Sequence, residues 1–216
     1  MEAYYARRAA EYEKIYAKPE RQADLGRMRV DIPNLFVNKK VLEIACGTGY
    51  WTPLIAARAK EVVALDYAEE TLAIARTKAY PRGNVSFRQG DAYALPAWPA
   101  KFDGCYAGFW WSHIPLARVD AFLSGLQKHL EPGATLVFMD NRYVEGNSTP
   151  LSRKDDEGNT YQTRRLADGS SHEVLKNYPD ERELKLRLAP YAGEFRFVQY
   201  DYYWVIIAAT TSGRKA

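Results

Sequence analysis

Between residues 41 and 50 the chain reads Val-Leu-Glu-Ile-Ala-Cys-Gly-Thr-Gly-Tyr, an apolar run holding one carboxylate, Glu43, that leads into Gly47 and Gly49. Glycines at such a turn let the backbone bend sharply and come close to a ligand at the carboxyl end of a strand. A ligand-free strand-to-helix turn would use the same pair. Asp66 ends the next β-branched run, nineteen residues after Gly47, where a carboxylate accepts hydrogen bonds from both hydroxyls of a ribose. The combination fits a dinucleotide or an adenosyl cofactor. In a dinucleotide fingerprint the third glycine would fall at Thr52, whose side chain crowds the close packing of helix on strand. Glu43 would also repel a pyrophosphate and attract an ammonium group. The expected cofactor therefore carries an amine, and a nicotinamide-dependent oxidoreductase is the less favoured enzymatic alternative.

Four motifs carry a family resemblance: Glu43-x-x-x-Gly47-x-Gly49, Asp66, Gly90-Asp91-Ala92 and Leu130-Glu131-Pro132-Gly133. In order and spacing they resemble motifs I to III and the post-catalytic turn of the class I S-adenosylmethionine-dependent methyltransferases, over roughly residues 40 to 140. The resemblance implies S-adenosylmethionine as cofactor, S-adenosylhomocysteine as product and no metal. It places Glu43 and the Gly47 to Gly49 backbone on the methionine part, with Ala45 and Phe109 in the same cofactor set, and Asp66 on the ribose. Asp91 would take the adenine amino group and the Ala92 amide the ring. Tyr67 and Tyr93 are placed to cover the adenine face, a role that for Tyr93 competes with ordinary packing. Arg21 lies where similar small-molecule methyltransferases hold the cofactor carboxylate, a task that suits a guanidinium fork; a solvated helix-face arginine is the alternative.

The acceptor pocket of that family follows the fourth strand, here Gly108-Phe-Trp-Trp-Ser-His-Ile-Pro115. His113 is the titratable group of this loop and the candidate catalytic base or acceptor-binding residue; capping the helix after Pro115 is its structural alternative. Two consecutive tryptophans cannot easily face one core, so Trp110 or Trp111 is expected to stack on the acceptor. With sixteen Tyr and five Trp in the chain, the acceptor reads as a planar aromatic or nitrogen heterocycle, azapteridine-like, methylated at N or O. Quinone, lipid-like or amine metabolites are the alternatives. Asp140 and Arg142, after the fifth strand, are expected at the acceptor's polar rim, although Asp140 equally suits a turn.

The elements that must position these residues alternate short apolar runs with helical patterns, as in parallel strands joined by crossover helices. Strands are predicted at 41–45, 62–66, 85–88, 102–107, 135–140, 195–200 and 203–210, and helices at 52–59, 69–79, 116–130 and 181–188. The fold class is α/β, a Rossmann-like doubly wound seven-stranded sheet. Only Asp201 and Tyr202 separate the last two strands, so these form an antiparallel terminal hairpin. Residues 1–38 form a helical flank or lid, with Tyr5, Tyr12, Ile15 and Tyr16 at near-helical spacing. Residues 141–178 form a substrate-side insertion with a hairpin turn at Asp168-Gly169.

One domain of 216 residues is expected, with a net charge of +3 that is spread along the chain and does not single out nucleic acid as a partner. The basic residues Arg164-Arg165 and Arg153-Lys154 flank Asp155, Asp156 and Glu157, which are expected to cancel much of their field. No apolar run is long enough to span a membrane and no signal core precedes the charged N-terminus. Cys46 and Cys105 sit in apolar runs, which suits buried thiols and a cytoplasmic location. Three His and two Cys without clustered spacing leave no expected metal site.

Overall fold

The computed structural model describes residues 9–166 and 169–211. Tyr5, the Tyr12 side chain and Asp168 lie outside the described residues. Seven strands form the main sheet: β1 (Lys40–Ile44), β2 (Glu61–Asp66), β3 (Val85–Gln89), β4 (Phe102–Gly108), β5 (Leu130–Asn141), β9 (Ala192–Gln199) and β10 (Tyr203–Thr210). Their order is β3-β2-β1-β4-β5-β10-β9. The first five pair in parallel, and β10 runs antiparallel to both β5 and β9. This is the doubly wound sheet with its terminal hairpin that the sequence pattern predicts. The order reverses between β1 and β4, and ligands of such sheets bind beyond the strand carboxyl ends at that point.

Strands buried on both faces read as continuous apolar runs, and Val41, Leu42 and Ile44 of β1 are fully covered. Two apolar cores result, one on each face: Leu42, Phe138 and Trp204 belong to one, and Phe36, Tyr106 and Val205 to the other. The helices are α1 (Gln22–Asn34), α2 (Thr52–Ala56), α3 (Glu69–Arg76), α4 (Val119–Gln127) and α5 (Glu181–Leu188). The predicted helix 116–130 is shorter than its apolar pattern, because Leu116–Arg118 form a 3₁₀ turn and residue 130 already belongs to β5. The N-terminal flank starts as 3₁₀ turns over Ala9–Ala17 and Pro19–Arg21 and becomes α-helical at Gln22. Proline after Lys18 explains the break, since it removes a donor and disfavours helix in the preceding residue.

Between β5 and α5 an arm of three antiparallel strands projects: β6 (Arg153–Lys154), β7 (Thr160–Arg165) and β8 (Ser171–Leu175). It docks on the loop after β4 through Asn177, whose amide donates to the Ser112 carbonyl at 2.8 Å and whose side chain donates to the Ile114 carbonyl at 3.1 Å. Among the described residues no helix is long and apolar enough to cross a membrane. Cys46 and Cys105 are both buried free thiols.

Candidate functional site

β1 delivers Glu43 to the interior and the glycine turn to the sheet edge. The turn needs left-handed backbone at Ala45, Gly47 and Gly49, with φ of 53°, 56° and 73°. At Gly47 an added Cβ would meet no described residue within 4 Å, so the loop leaves open space above itself. At Gly49 it would stand 2.9 Å from Ala75 Cβ, so this glycine is required by packing on α3 as well as by its φ. Gly49→Ala is expected to lower unfolding stability by roughly 1–3 kcal/mol through left-handed strain and the clash; urea denaturation measures it.

Asp66, at the end of β2, holds this loop in place. Its Oδ2 accepts from the Gly47 amide at 2.7 Å, and its Oδ1 accepts from the Ala68 amide and the Thr71 hydroxyl, each at 3.0 Å. Burial raises its pKa against these bonds. Glu43 is more exposed to that cost. It is 1% accessible, its Oε2 has no hydrogen-bond partner among the described residues, and burial pushes its pKa up to about 8, with the Thr52 hydroxyl opposing and the Asp66 charge adding. A cavity of about 20 Å³ lies beside it, walled by Ala45, Thr48, Tyr16 and Tyr50 among others. An ammonium group would supply the donors that the orphaned oxygen lacks.

The segment before α1 closes over this turn. Thr48 donates to Glu13 Oε1 at 2.8 Å, Lys78 donates to the same oxygen at 2.6 Å, and the Tyr16 ring stacks on Tyr50 with centroids 3.6 Å apart. Tyr16 also meets Phe109 edge-on at 5.8 Å. Phe109, held at φ 58° immediately after β4, belongs to the wall of a second, larger cavity of about 390 Å³. The two cavities therefore adjoin, separated by the Tyr16 and Phe109 rings, where the strand order reverses.

The larger cavity gathers Lys14, Lys18 and Arg21 from the N-terminal segment, Phe109 and His113 from the loop after β4, Asn141 from β5, and Arg164, Arg165, Lys176 and Tyr178 from the arm. His113 faces it and is anchored behind: its Nδ1 lies 2.7 Å from the Leu175 carbonyl. Since a carbonyl only accepts, Nδ1 carries the proton and Nε2 the lone pair. Burial pulls the His113 pKa well below its ordinary value, with the Lys176 and Arg164 charges adding and Asp140 opposing.

Several of the expected placements change, for reasons visible in the geometry. Trp111 is 3% exposed and packs edge-on against Phe138, and Trp110 packs against Tyr93 and Phe122. A 3₁₀ turn over Trp111–His113 lets both indoles join one core, so neither lines the larger cavity and the expected stacking face is not there. Tyr93 is held in the same cluster and under the Arg118 guanidinium, 3.6 Å from its ring centroid, while Tyr67 is 53% exposed. Asp140 does not reach a rim: it is fully buried, accepting from Lys176 Nζ at 2.8 Å and from the Ser112 amide at 3.0 Å. Arg142 turns to the Tyr200 and Asp201 carbonyls and ties β5 to the terminal hairpin. Arg21 lines the larger cavity instead of the small one, bonded to Asn141 and Asn147. Asp91 is exposed and accepts from the Tyr93 amide at 2.8 Å, beside the buried Ala92.

Lys176, Lys14 and Lys18 are the wall residues that sequence reasoning missed, and it discounts Arg164 and Arg165 for their acidic neighbours. None of those neighbours lines the cavity: Asp155 accepts from Asn159 and Tyr161, and Glu157 accepts from Asn159.

Comparison with known proteins agrees with this fold. Residues 41–133 match the family described as a methyltransferase domain. The solved DhpI-SAM-HEP complex superposes with a TM-score of 0.77 at 28% identity, covering 95% of this chain and 94% of that one. Residues 41–133 thus resemble a methyltransferase domain, and the fold of the chain is that of a solved complex with S-adenosylmethionine. The chain is 37% identical over 117 residues to a demethylmenaquinone methyltransferase of Thermus thermophilus, covering 53% of this chain and 52% of the relative. A probable S-adenosylmethionine-dependent methyltransferase of Mycolicibacterium smegmatis is 36% identical over 141 residues, 64% of this chain and 50% of that protein. The chain thus spans about half the length of these curated relatives. The family match ends at residue 133, before the arm that supplies Arg164, Arg165 and Lys176.

Proposed function

We propose that this protein transfers the methyl group of S-adenosylmethionine to a small molecule seated in the larger cavity. The observation that carries the reading is the orphaned Glu43 oxygen, buried at the end of β1 beside a glycine turn with open space above Gly47. When bound, the compound supplies an electrophilic methyl on a sulfonium sulfur. Methyl transfer is an in-line displacement, so the protein contributes mainly alignment. Glu43 and the turn fix one side, and Phe109, between the two cavities, borders the line along which the acceptor approaches. The small cavity holds little more than a water. Entry of an amino-acid moiety therefore requires Tyr16 to leave Tyr50, which makes the segment around it a lid. His113, held neutral with Nδ1 committed to Leu175, is a weak base and serves as a wall residue that orients the acceptor.

A quinone acceptor is the second reading, favoured by the names of relatives that act on demethylmenaquinone and on 2-phytyl-1,4-naphtoquinone. The planar-heterocycle reading loses its support with the burial of Trp111 and the packing of Trp110. Calorimetric titration with S-adenosylmethionine tests the cofactor assignment. Asp66→Ala should weaken binding by about 1–3 kcal/mol, through loss of a charge-assisted acceptor and of the Gly47 tether. Wild-type affinity in that variant would remove Asp66 from the site, and no binding by the native chain would end the proposal.

A further inference from the structure

We infer that Thr48 and Lys78 form a carboxylate subsite for the amino-acid end of the methyl donor, and that Glu13 of the N-terminal segment fills it while the segment is closed. The inference deepens the methyl-transfer reading and rests on it for the identity of the ligand, S-adenosylmethionine.

The Thr48 hydroxyl and the Lys78 ammonium converge on one oxygen, Glu13 Oε1, at 2.8 and 2.6 Å. Two donors from separate parts of the fold, the glycine turn and the chain after α3, thus define one carboxylate position. Thr48 also walls the small cavity, and so does Glu43 with its orphaned oxygen. An α-amino acid group carries an ammonium and a carboxylate on one carbon. A wall that offers a carboxylate to the first, and a hydroxyl with an ammonium to the second, matches both ends. Arg21 is engaged elsewhere, on the larger cavity with Asn141 and Asn147.

Glu13 cannot stay in place when such a ligand enters. Glu13 and Tyr16 lie three residues apart in the 3₁₀ segment Ala9–Ala17, and side chains at that spacing eclipse in a 3₁₀ helix. Tyr16 must leave Tyr50 to admit the ligand, so Glu13 is drawn off with it. Its departure strips Thr48, which is 1% exposed, of its hydrogen-bond partner and Lys78 of its ion pair. Among the described residues neither side chain has another partner to turn to. A buried hydroxyl and a half-buried ammonium left without an acceptor are costly, and a carboxylate satisfies both. The ligand brings one to the wall that Glu13 vacates. The segment is therefore held shut by a carboxylate of its own that competes with the ligand's.

The test is calorimetric titration of the full chain with S-adenosylmethionine and with its decarboxylated analogue, which keeps the ammonium and the sulfonium and lacks only the carboxylate. The native chain should prefer the carboxylated compound by about tenfold or more, the scale of a charge-assisted contact. Lys78→Met should bring that preference down toward unity. It should weaken S-adenosylmethionine and leave the analogue at native affinity or tighter, since it also frees the closed segment. Glu13→Gln removes the competing charge and should tighten both compounds severalfold. Should Lys78→Met fail to fold, as circular dichroism would reveal, Thr48→Val keeps the shape of its side chain, removes the other donor and should lower the preference as well. The inference is overturned if the preference survives in the Lys78 and Thr48 variants, or if Lys78→Met changes the affinity for the two compounds equally, the mark of a latch alone. It is also overturned if Glu13→Gln weakens both compounds. Each of these outcomes leaves S-adenosylmethionine binding, and with it the methyl-transfer reading, in place. Failure of the native chain to bind either compound ends both.

Discussion

S-adenosylmethionine should bind more tightly as pH rises from 6 to 8, and Glu43→Gln should abolish that dependence. Burial holds the Glu43 pKa at about 8 in the free protein, so below that pH the carboxyl is mostly protonated. An ammonium ligand requires the ionised form, and binding then releases a proton. Affinity should rise by up to about tenfold per pH unit below 8 and level off above it. Calorimetry at pH 6.5 in buffers of different ionisation enthalpy reads the released proton directly. Removing the charge while keeping the shape should cost roughly 1.5–3 kcal/mol of binding at pH 8, since hydrogen bonds to charged groups are worth that much. The sign for folding is opposite. A carboxyl whose pKa is raised by the fold contributes stability that is fully present below the unfolded value of 4.5 and is lost as pH rises through the folded value. Glu43→Gln should therefore flatten the fall in ligand-free stability between these limits. A flat pH dependence of binding in the native chain would detach Glu43 from the ligand.

The sheet was legible because its strands announce themselves locally. Val41 to Ile44, Val62 to Leu65 and Tyr203 to Thr210 are apolar runs with turn residues at their ends, and the two-residue gap at Asp201-Tyr202 dictates a hairpin. Glu43, Gly47 and Asp66 were legible for a related reason: strand and turn geometry place them whatever the rest of the chain does. The larger cavity was not, because it is assembled from side chains whose neighbours are set by docking of the arm. Lys176 is an ordinary lysine in sequence and becomes a buried ion-pair partner only when β8 lies against the loop after β4. The discounting of Arg164 and Arg165 failed because charge balance along a chain says nothing about which face of a strand each charge occupies. Asp155, Asp156 and Glu157 lie in the turn before β7, and none of them joins the cavity wall. The tryptophan inference failed in the same way: it treated Trp110 and Trp111 as extended chain, and a 3₁₀ turn lets neighbouring residues share a core.

Lys176→Met should be among the most destabilising single changes in the protein, by about 3–5 kcal/mol, because it strands a buried charge. Asp140 is completely inaccessible and Lys176 nearly so, and their contact of 2.8 Å joins β5 to the arm. Burial alone would raise the Asp140 pKa, but the Lys176 ammonium holds it below the ordinary range. Its contribution to stability is therefore present above the unfolded carboxyl value and lost as pH falls through the lower folded one. His113 adds a second acid-sensitive step. Its folded pKa lies well below 6.5, so the unfolded chain takes up a proton that the fold excludes, and stability declines as pH falls below about 6.5. Ser112, whose hydroxyl accepts from Lys176 at 2.6 Å and whose amide donates to Asp140, ties the pair to the turn that carries His113. Lys176→Met should consequently loosen the arm as well as lower the melting temperature, and hydrogen exchange should quicken at the Asn177 amide that joins arm to loop. The double change Lys176→Met, Asp140→Leu removes both charges and should recover part of the loss, since an apolar pair of similar volume often replaces a buried ion pair at little net cost. It would still forfeit the bonds that Asp140 accepts from Ser112 and Asn141. Equal stability of the single and double variants would mean that those backbone bonds, and not the ion pair, hold the arm to the sheet.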